Sequence, residues 1–168
     1  RLAYSLAELE RNTLHALREM RLLLYELRPA DLEQEGLARA IQLRLDIVER
    51  RVGLQLDVQL ADLPPLPPSF EVQLYHIIVE ALNNVIKHAA ASSLRVALVE
   101  QDGRLKLRVE DNGSGFDPAQ RKGGMGLNNI RERVARLHGT ITITSAPGRG
   151  AQLDAVIPYP AETRPWPN

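Results

Sequence analysis

The sequence predicts an α+β fold, a two-layer sandwich in which helices cover one face of a mixed, mostly antiparallel sheet. Several short segments alternate apolar and polar residues, as strands with one buried face do, whereas longer segments repeat apolar residues every three or four positions, as amphipathic helices do. In the second half of the chain the strands follow one another in pairs, without the regular alternation with helices that a parallel sheet needs.

The first predicted helix occupies residues 1–28 and ends at Pro29, because the residue before a proline is pushed out of the helical region. Its apolar and small residues recur at heptad spacing, which predicts a long helix packed on partner helices in a bundle. Packing of this helix back onto its own domain is the alternative. The heptad positions are Leu6, Leu9, Thr13, Ala16, Met20, Leu23 and Leu27.

A separate domain is predicted after Pro29, at residues 30–160. Its elements are, in order, a helix at 31–52 that ends at Gly53, a strand at 54–60, a proline-rich connection at 64–68, a helix at 70–88, a hairpin at 94–109 with its turn at Asp102-Gly103, a helix at 125–137 that ends at Gly139, and strands at 141–143 and 153–157 around a turn at 147–150. Residues 161–168 are predicted to form a disordered tail.

Composition excludes several classes of function. The 168 residues include 21 basic and 21 acidic side chains, so no general electrostatic attraction to nucleic acid or to a membrane surface is expected. The absence of cysteine excludes disulfides, thiolate catalysis and cysteine-ligated zinc. No apolar segment has the length of a membrane span. We therefore expect a cytoplasmic protein, or the cytoplasmic part of a larger one, and the start inside a helical pattern favours a part.

Glycines cluster in two places after the second strand of the hairpin. Asp111-Asn112-Gly113-Ser114-Gly115 follows that strand directly, and Gly124-Met125-Gly126-Leu127 opens the next helix. Glycine permits close backbone approach, and a helix N-terminus offers free N–H groups to an anion. This pattern predicts a nucleotide site in which the Asp111 carboxylate reads the base. The alternative is two ordinary turns. The spacing matches neither a Rossmann nor a Walker phosphate loop.

The helix at 70–88 carries a polar stripe beside its apolar one. Glu80 and Asn84 are four residues apart and share one face, which Lys87 and His88 extend. Carboxylate and amide oxygens suit a hard cation such as Mg²⁺. A solvated helix face is the alternative. Elsewhere on this helix, His76 is expected at the surface.

Four segments resemble the signature boxes of bacterial sensor histidine kinases, in the family's order. Residues 80–89 resemble the N box, 111–116 the G1 box, 124–134 the G2 box and 147–150 the last glycine turn. The closest similarity is to the nitrate-sensor and desaturase-thermosensor subfamily, within the GHKL ATPases. The resemblance covers residues 30–158 and implies the Bergerat-type ATPase fold, with 1–29 similar to the second helix of the dimerisation and histidine-phosphotransfer region.

The resemblance also implies a role for each matching residue. Asn84 would ligate Mg²⁺, Glu80 would orient a metal-bound water or act as a weak base, and Asp111 would accept the adenine amino group. The catalytic residues implied are Glu80, Lys87 and His88, and the ATP-binding residues are Asn84, Asp111, Gly113, Gly115, Gly124, Met125, Gly126 and Leu127. Lys87 and His88 would approach the phosphates. Gly113 and Gly115 would admit the base, and Gly124 and Gly126 would hinge a lid.

Two departures from the family pattern stand out. Ala151 replaces a usual threonine, which predicts nucleotide binding weaker by about 1 kcal/mol unless Thr142, Thr144 or a water supplies the hydrogen bond. The phosphoacceptor motif, a histidine followed by an acidic residue, is absent. His15 lacks that neighbour and is interpreted as a histidine on the bundle surface.

These features predict the ATP-binding catalytic region of a two-component sensor histidine kinase. Such a region would use ATP and Mg²⁺ to phosphorylate a histidine outside this chain, on its own phosphoacceptor helix, for relay to the receiver domain of a response regulator. The full-length protein is expected to be a homodimer and this chain not to phosphorylate itself, bind nucleic acid or contact a membrane directly. The alternatives are an anti-sigma-factor serine kinase of the same superfamily and a non-catalytic dimerisation scaffold.

Overall fold

The computed structural model describes residues 30–118 and 125–160. The predicted dimerisation helix at 1–29, Gly124 in the predicted lid and the predicted tail at 161–168 lie outside the described residues. Within the described ranges, no helix combines the length and the apolar character that a membrane crossing requires.

The elements follow the predicted order, with bounds that differ from the predictions by a few residues. They are α1 (Ala30–Val52), β1 (Gln55–Leu60), α2 (Pro68–Asn84) with a π-helical turn (Val85–Ala89), β2 (Ser93–Gln101), β3 (Arg104–Asp111), α3 (Met125–Arg136), β4 (Thr140–Ser145) and β5 (Ala151–Pro158). Gly53 ends α1 as predicted, in a left-handed conformation (φ 72°) with its N–H donated to the Glu49 carbonyl at 2.8 Å.

The five strands form one sheet in the order β1-β2-β3-β5-β4. β1 pairs with β2 in parallel, across the α2 connection, and every other pairing is antiparallel. The predicted mixed, mostly antiparallel sheet is therefore confirmed. In this register Asp111, the last residue of β3, lies opposite Ala151, the first residue of β5.

One face of the sheet packs on the helices and the other carries polar side chains. Alternate residues of β2, β3 and β5 join the buried stripes of all three helices in a single apolar core. On the opposite face, Arg95 pairs with Asp57 at 3.2 Å and Arg108 with Asp154 at 2.7 Å. The α+β sandwich with helices on one face is confirmed.

The structure corrects two expectations about the helices. The helical pattern at 31–52 is interrupted at Gly36, whose angles (φ 77°, ψ 172°) are not helical. The expected surface position of His76 is wrong, because its side chain is only 6% exposed. α2 is the central helix and contacts α1, α3 and the sheet, so more than one of its faces is covered. The ring of His76 also meets that of Tyr75 edge-on, with centroids 5.8 Å apart.

Candidate functional site

A cleft of about 640 Å³, including its open mouth, lies between the C-terminal end of α2, the loop after β3, the start of α3 and the β4–β5 hairpin. Apolar side chains from both layers form most of its wall. The polar residues in the lining are Asn84, His88, Asp111, Ser114 and Gln152. An apolar wall with a few polar groups is typical of a small-molecule site.

Asp111 is the buried acid of this cleft, with a side chain only 9% exposed. Its Oδ1 accepts the Gly113 N–H at 2.8 Å, and its carboxylate also accepts the N–H of Ala151. Burial is the largest influence on the pKa of Asp111 and, together with the nearby charge of Glu110, raises it above its ordinary value although these two hydrogen bonds lower it. The carboxylate is therefore held in place by the backbone while it lines a largely apolar space.

The glycines after Asp111 allow the loop to pack against other backbone segments. A Cβ on Gly113 would collide with the carbonyl group of Ala89, in the π-helical turn. Gly115 has φ +59°, and a Cβ there would meet the carbonyl oxygens of Ala146 and Gly150. These contacts explain both glycines without reference to a bound base, a reason that the sequence interpretation did not include.

Ser114 joins the loop to the π-helical turn. Its N–H donates to the Ala89 carbonyl at 2.6 Å, and its hydroxyl donates to the His88 carbonyl at 3.2 Å. The turn itself ends in a left-handed residue, Ala90, with φ 48°. π-Helical turns inside α-helices occur frequently at functional sites. Here the turn carries His88 to the cleft wall.

Ser145, at the end of β4, is a site residue that the sequence interpretation missed. Its hydroxyl donates to the Gly150 carbonyl at 2.8 Å and accepts the Phe116 N–H at 2.9 Å, so it ties the loop after β3 to the turn at 147–150. Thr142 and Thr144, which were considered as replacements for the missing hydroxyl at Ala151, lie exposed on the polar face of the sheet and outside the cleft lining. Their alternation with Ile141 and Ile143, which face the core, could have shown this.

Glu80 and Asn84 meet the start of α3 at Gly126. A Cβ on Gly126 would lie 3.0 Å from Oδ1 of Asn84 and closer still to Oε1 of Glu80. Among the described residues, Nδ2 of Asn84 is buried with no hydrogen-bond partner. The oxygen and nitrogen of a side-chain amide can be exchanged by turning it over, so either atom of Asn84 can occupy this buried position. A buried amide atom without a protein partner fits a site in which a bound ligand supplies that partner.

The predicted site residues do not all lie in the cleft wall. Asn84, His88, Asp111, Gly115 and Leu127 line it, and Glu80, Gly113 and Gly126 contact lining residues. Lys87 is exposed and Met125 is 64% exposed, and neither belongs to the lining. The wall also contains apolar residues for which the sequence predicted no individual role in the site, among them Val109, Ile130 and Leu153.

Comparisons with known proteins agree with this architecture. A family model described as "Histidine kinase-, DNA gyrase B-, and HSP90-like ATPase" matches residues 70–161. The sensor histidine kinase LiaS of Bacillus subtilis is 35% identical over 146 residues, which cover 86% of this chain and 40% of LiaS. The histidine-protein kinase/phosphatase UhpB of Salmonella typhimurium is 40% identical over 132 residues, covering 77% of this chain and 26% of UhpB.

A solved structure shows the same fold. The histidine kinase domain of the blue-light activated histidine kinase EL346 from Erythrobacter litoralis superposes with a TM-score of 0.64 at 23% identity, covering 73% of this chain and 60% of that domain. The chain spans 40% of LiaS and 26% of UhpB, less than half of either curated relative.

Proposed function

Because the chain belongs to the family of histidine kinase-, DNA gyrase B- and HSP90-like ATPases, we propose that residues 30–160 bind ATP as the catalytic region of a two-component sensor histidine kinase. One observation carries the proposal: a buried carboxylate, fixed by two backbone N–H groups, lies in an apolar cleft that also reaches Asn84 and the start of α3. The relatives at 35% and 40% identity are sensor kinases, which supports a kinase rather than another ATPase.

Asp111 would select adenine. An ionised carboxylate only accepts hydrogen bonds, so it matches the exocyclic amino group of adenine and repels the carbonyl oxygen that guanine presents at the same position. Val109, Ile130 and Leu153 supply apolar surface around this acceptor. With its orientation fixed by the N–H groups of Gly113 and Ala151, the carboxylate needs little rearrangement to bind.

The phosphates would lie toward α2 and the N-terminus of α3. The first turn of α3 offers free N–H groups to an anion, and Gly126 keeps that turn close to Glu80 and Asn84. Asn84 would hold Mg²⁺ through its amide oxygen, with Glu80 orienting a bound water, and the ion would neutralise phosphate charge. His88 would approach the phosphates from the cleft wall, and Lys87 would do so from outside it. Gly124 would hinge the lid, as the resemblance implies.

The remaining parts of the reaction would be supplied from outside this chain. The γ-phosphate would pass to a histidine on the protein's own phosphoacceptor helix, and then to the receiver domain of a response regulator. Positioning and charge neutralisation supply most of the catalysis of phosphoryl transfer. In this proposal the described residues position the donor, the full-length protein acts as a homodimer, and the chain alone does not label itself with the γ-phosphate.

Calorimetric titration with Mg²⁺ and a non-hydrolysable ATP analogue tests the proposal. Asp111→Asn replaces an acceptor oxygen with a donor, and the loss of a charge-assisted hydrogen bond should weaken binding about tenfold or more. Asp57→Asn is the matched control, since Asp57 lies on the opposite face of the sheet, pairs with Arg95 and does not belong to the cleft lining. The proposal is wrong if the wild-type chain shows no Mg²⁺-dependent affinity, or if both variants bind like the wild type. Absence of binding would instead favour a dimerisation scaffold.

A further inference from the structure

We propose that Gln73 and Arg133 are positioning residues for the nucleotide site, because their hydrogen bond sets the axial register of α3 against α2. The inference rests on the proposed function, since the register matters through the place it gives Gly126 beside Glu80 and Asn84. Neither side chain belongs to the cleft lining, so both would act through the helices that carry them.

The two helices touch at two matched points. At one end of the contact, Nη1 of Arg133 donates to Oε1 of Gln73 at 2.7 Å. At the other end, Gly126 lies against the side-chain oxygens of Glu80 and Asn84. Gln73 precedes Glu80 by seven positions, and Arg133 follows Gly126 by seven positions. The helices are therefore antiparallel. On each helix the two contacts are separated by two helical turns, roughly 10 Å along the axis.

The hydrogen bond supplies direction that the apolar contact lacks. Between the two points, Ile130 and Val134 of α3 are fully buried in the core. Apolar burial is non-directional, whereas a hydrogen bond from a guanidinium group requires a defined distance and angle. At the other end, Gly126 contributes no side chain, so it makes no directional side-chain contact to Glu80 or Asn84. The Arg133–Gln73 bond is thus a directional side-chain tie between the two helices, and it helps to fix where the first turn of α3 lies.

A shift of α3 along α2 would affect chiefly the phosphate end of the site. Displacing the helix by the rise of one residue moves its first turn about 1.5 Å along the axis, while the buried side chains of Ile130 and Val134 oppose rotation. The N–H groups offered to the phosphates would then move away from Asn84.

Asp111 is held by Gly113 and Ala151, neither of which belongs to α3 or α2. Of the apolar residues around it, Val109 and Leu153 belong to the sheet and only Ile130 to α3, so most of the base recognition should persist.

The test compares two ligands across three variants of the 168-residue chain. Gln73→Leu removes the acceptor at similar size, and Gln73→Glu retains an acceptor for Arg133. Gln42→Leu is the matched control, since it removes a comparable bond to Asp46 (2.8 Å) within α1. Affinities are measured for a Mg²⁺-bound non-hydrolysable ATP analogue by calorimetry and for adenosine by NMR titration, and unfolding midpoints are recorded for every variant.

We expect Gln73→Leu to lower the affinity for the Mg²⁺-bound ATP analogue about three- to tenfold, as loss of one charge-assisted hydrogen bond suggests. The affinity for adenosine should stay within about twofold of the wild-type value. A loss of affinity common to both ligands would exceed this limit and would therefore be detected. Gln73→Glu should retain wild-type affinity for both ligands, and Gln42→Leu should change neither. Should Gln73→Leu fail to fold, Gln73→Ala removes the same acceptor and is expected to give the same split between ligands.

Two results would overturn the inference while leaving the proposed function intact. In the first, the wild type binds the analogue and Gln73→Leu binds it equally well. In the second, both ligands weaken in proportion, or Gln73→Glu loses as much as Gln73→Leu, which indicates a general loss of structure. If the wild-type chain binds neither ligand, the proposed function fails and this inference fails with it.

Discussion

Gly113→Ala tests the contact between the loop after β3 and the π-helical turn. The added Cβ would lie 2.7 Å from both the carbonyl carbon and the Cβ of Ala89, and closer still to the carbonyl oxygen. Two of these three atoms belong to the backbone, so the clash cannot be relieved by rotating a flexible side chain. The loop and the turn must move apart.

The magnitude follows from the contacts that would be lost. Overpacking of a close contact costs about 1–3 kcal/mol. Separation would also stretch the hydrogen bond from the Ser114 N–H to the Ala89 carbonyl, now 2.6 Å, which contributes about 1 kcal/mol. Replacing glycine with alanine also lowers the conformational entropy of the unfolded chain, which offsets about 0.5 kcal/mol of this loss of stability. We therefore expect a net loss of about 2–3 kcal/mol in the free energy of unfolding.

Urea unfolding measures the effect of the substitution on stability, and nucleotide titration measures its effect on binding. Gly103→Ala is the control: Gly103 has φ +70° in the β2–β3 turn, and a Cβ there meets nothing within 4 Å. It should cost about 1–2 kcal/mol of backbone strain and leave nucleotide affinity unchanged. Gly113→Ala should also weaken nucleotide binding, because the Gly113 N–H orients Asp111. A Gly113→Ala chain with wild-type stability and wild-type affinity would refute the reasoning.

Two further predictions concern the same cleft. Nucleotide affinity should fall on acidification, because only the ionised Asp111 carboxylate accepts the adenine amino group. Burial raises the pKa of Asp111 above its usual value of 3.8, so the fall should begin at a higher pH than for an ordinary carboxyl group. Titrations in a pH series should show this step, and Asp111→Asn should lack it. Ser145→Ala should lower the free energy of unfolding by about 1–2 kcal/mol, since it removes the hydroxyl that joins Phe116 to Gly150, whereas Thr142→Ala on the exposed face should stay within about 0.5 kcal/mol in the same urea measurement.

Local patterns were sufficient to predict the elements of the fold. Alternation identified four of the five strands in the described part of the chain, and β5 was inferred from the apolar residues after the turn at 147–150. The Asp102-Gly103 signal located the hairpin turn between β2 and β3. The break at Gly36 was missed because the apolar positions that predicted the helix begin at Leu37, so that pattern carries no information about the turn before it. The burial of His76 depends on helices that are distant in sequence, so no local pattern could indicate it.

The candidate site could be predicted where the type of a residue and its place in the alternation of a strand both indicate a buried site residue. Asp111 shares the face of Val109, Leu107 and Leu105 on β3, so its burial follows from alternation. The contact of Gly113 with Ala89 and the bridging hydroxyl of Ser145 join segments that are distant in the sequence, and no spacing rule reveals them. The roles assigned to Glu80, Lys87, His88, Gly124 and Met125 remain predictions.

Competition between ATP and GTP tests most directly the central claim that Asp111 reads an adenine base in this cleft. With Mg²⁺ present, ATP should displace a fluorescent adenine nucleotide from the wild-type chain at a concentration about tenfold or more below that needed with GTP, because guanine places a carbonyl oxygen against the carboxylate. Asp111→Asn should remove most of this preference. Equal displacement by ATP and GTP, unchanged in Asp111→Asn, would contradict the account.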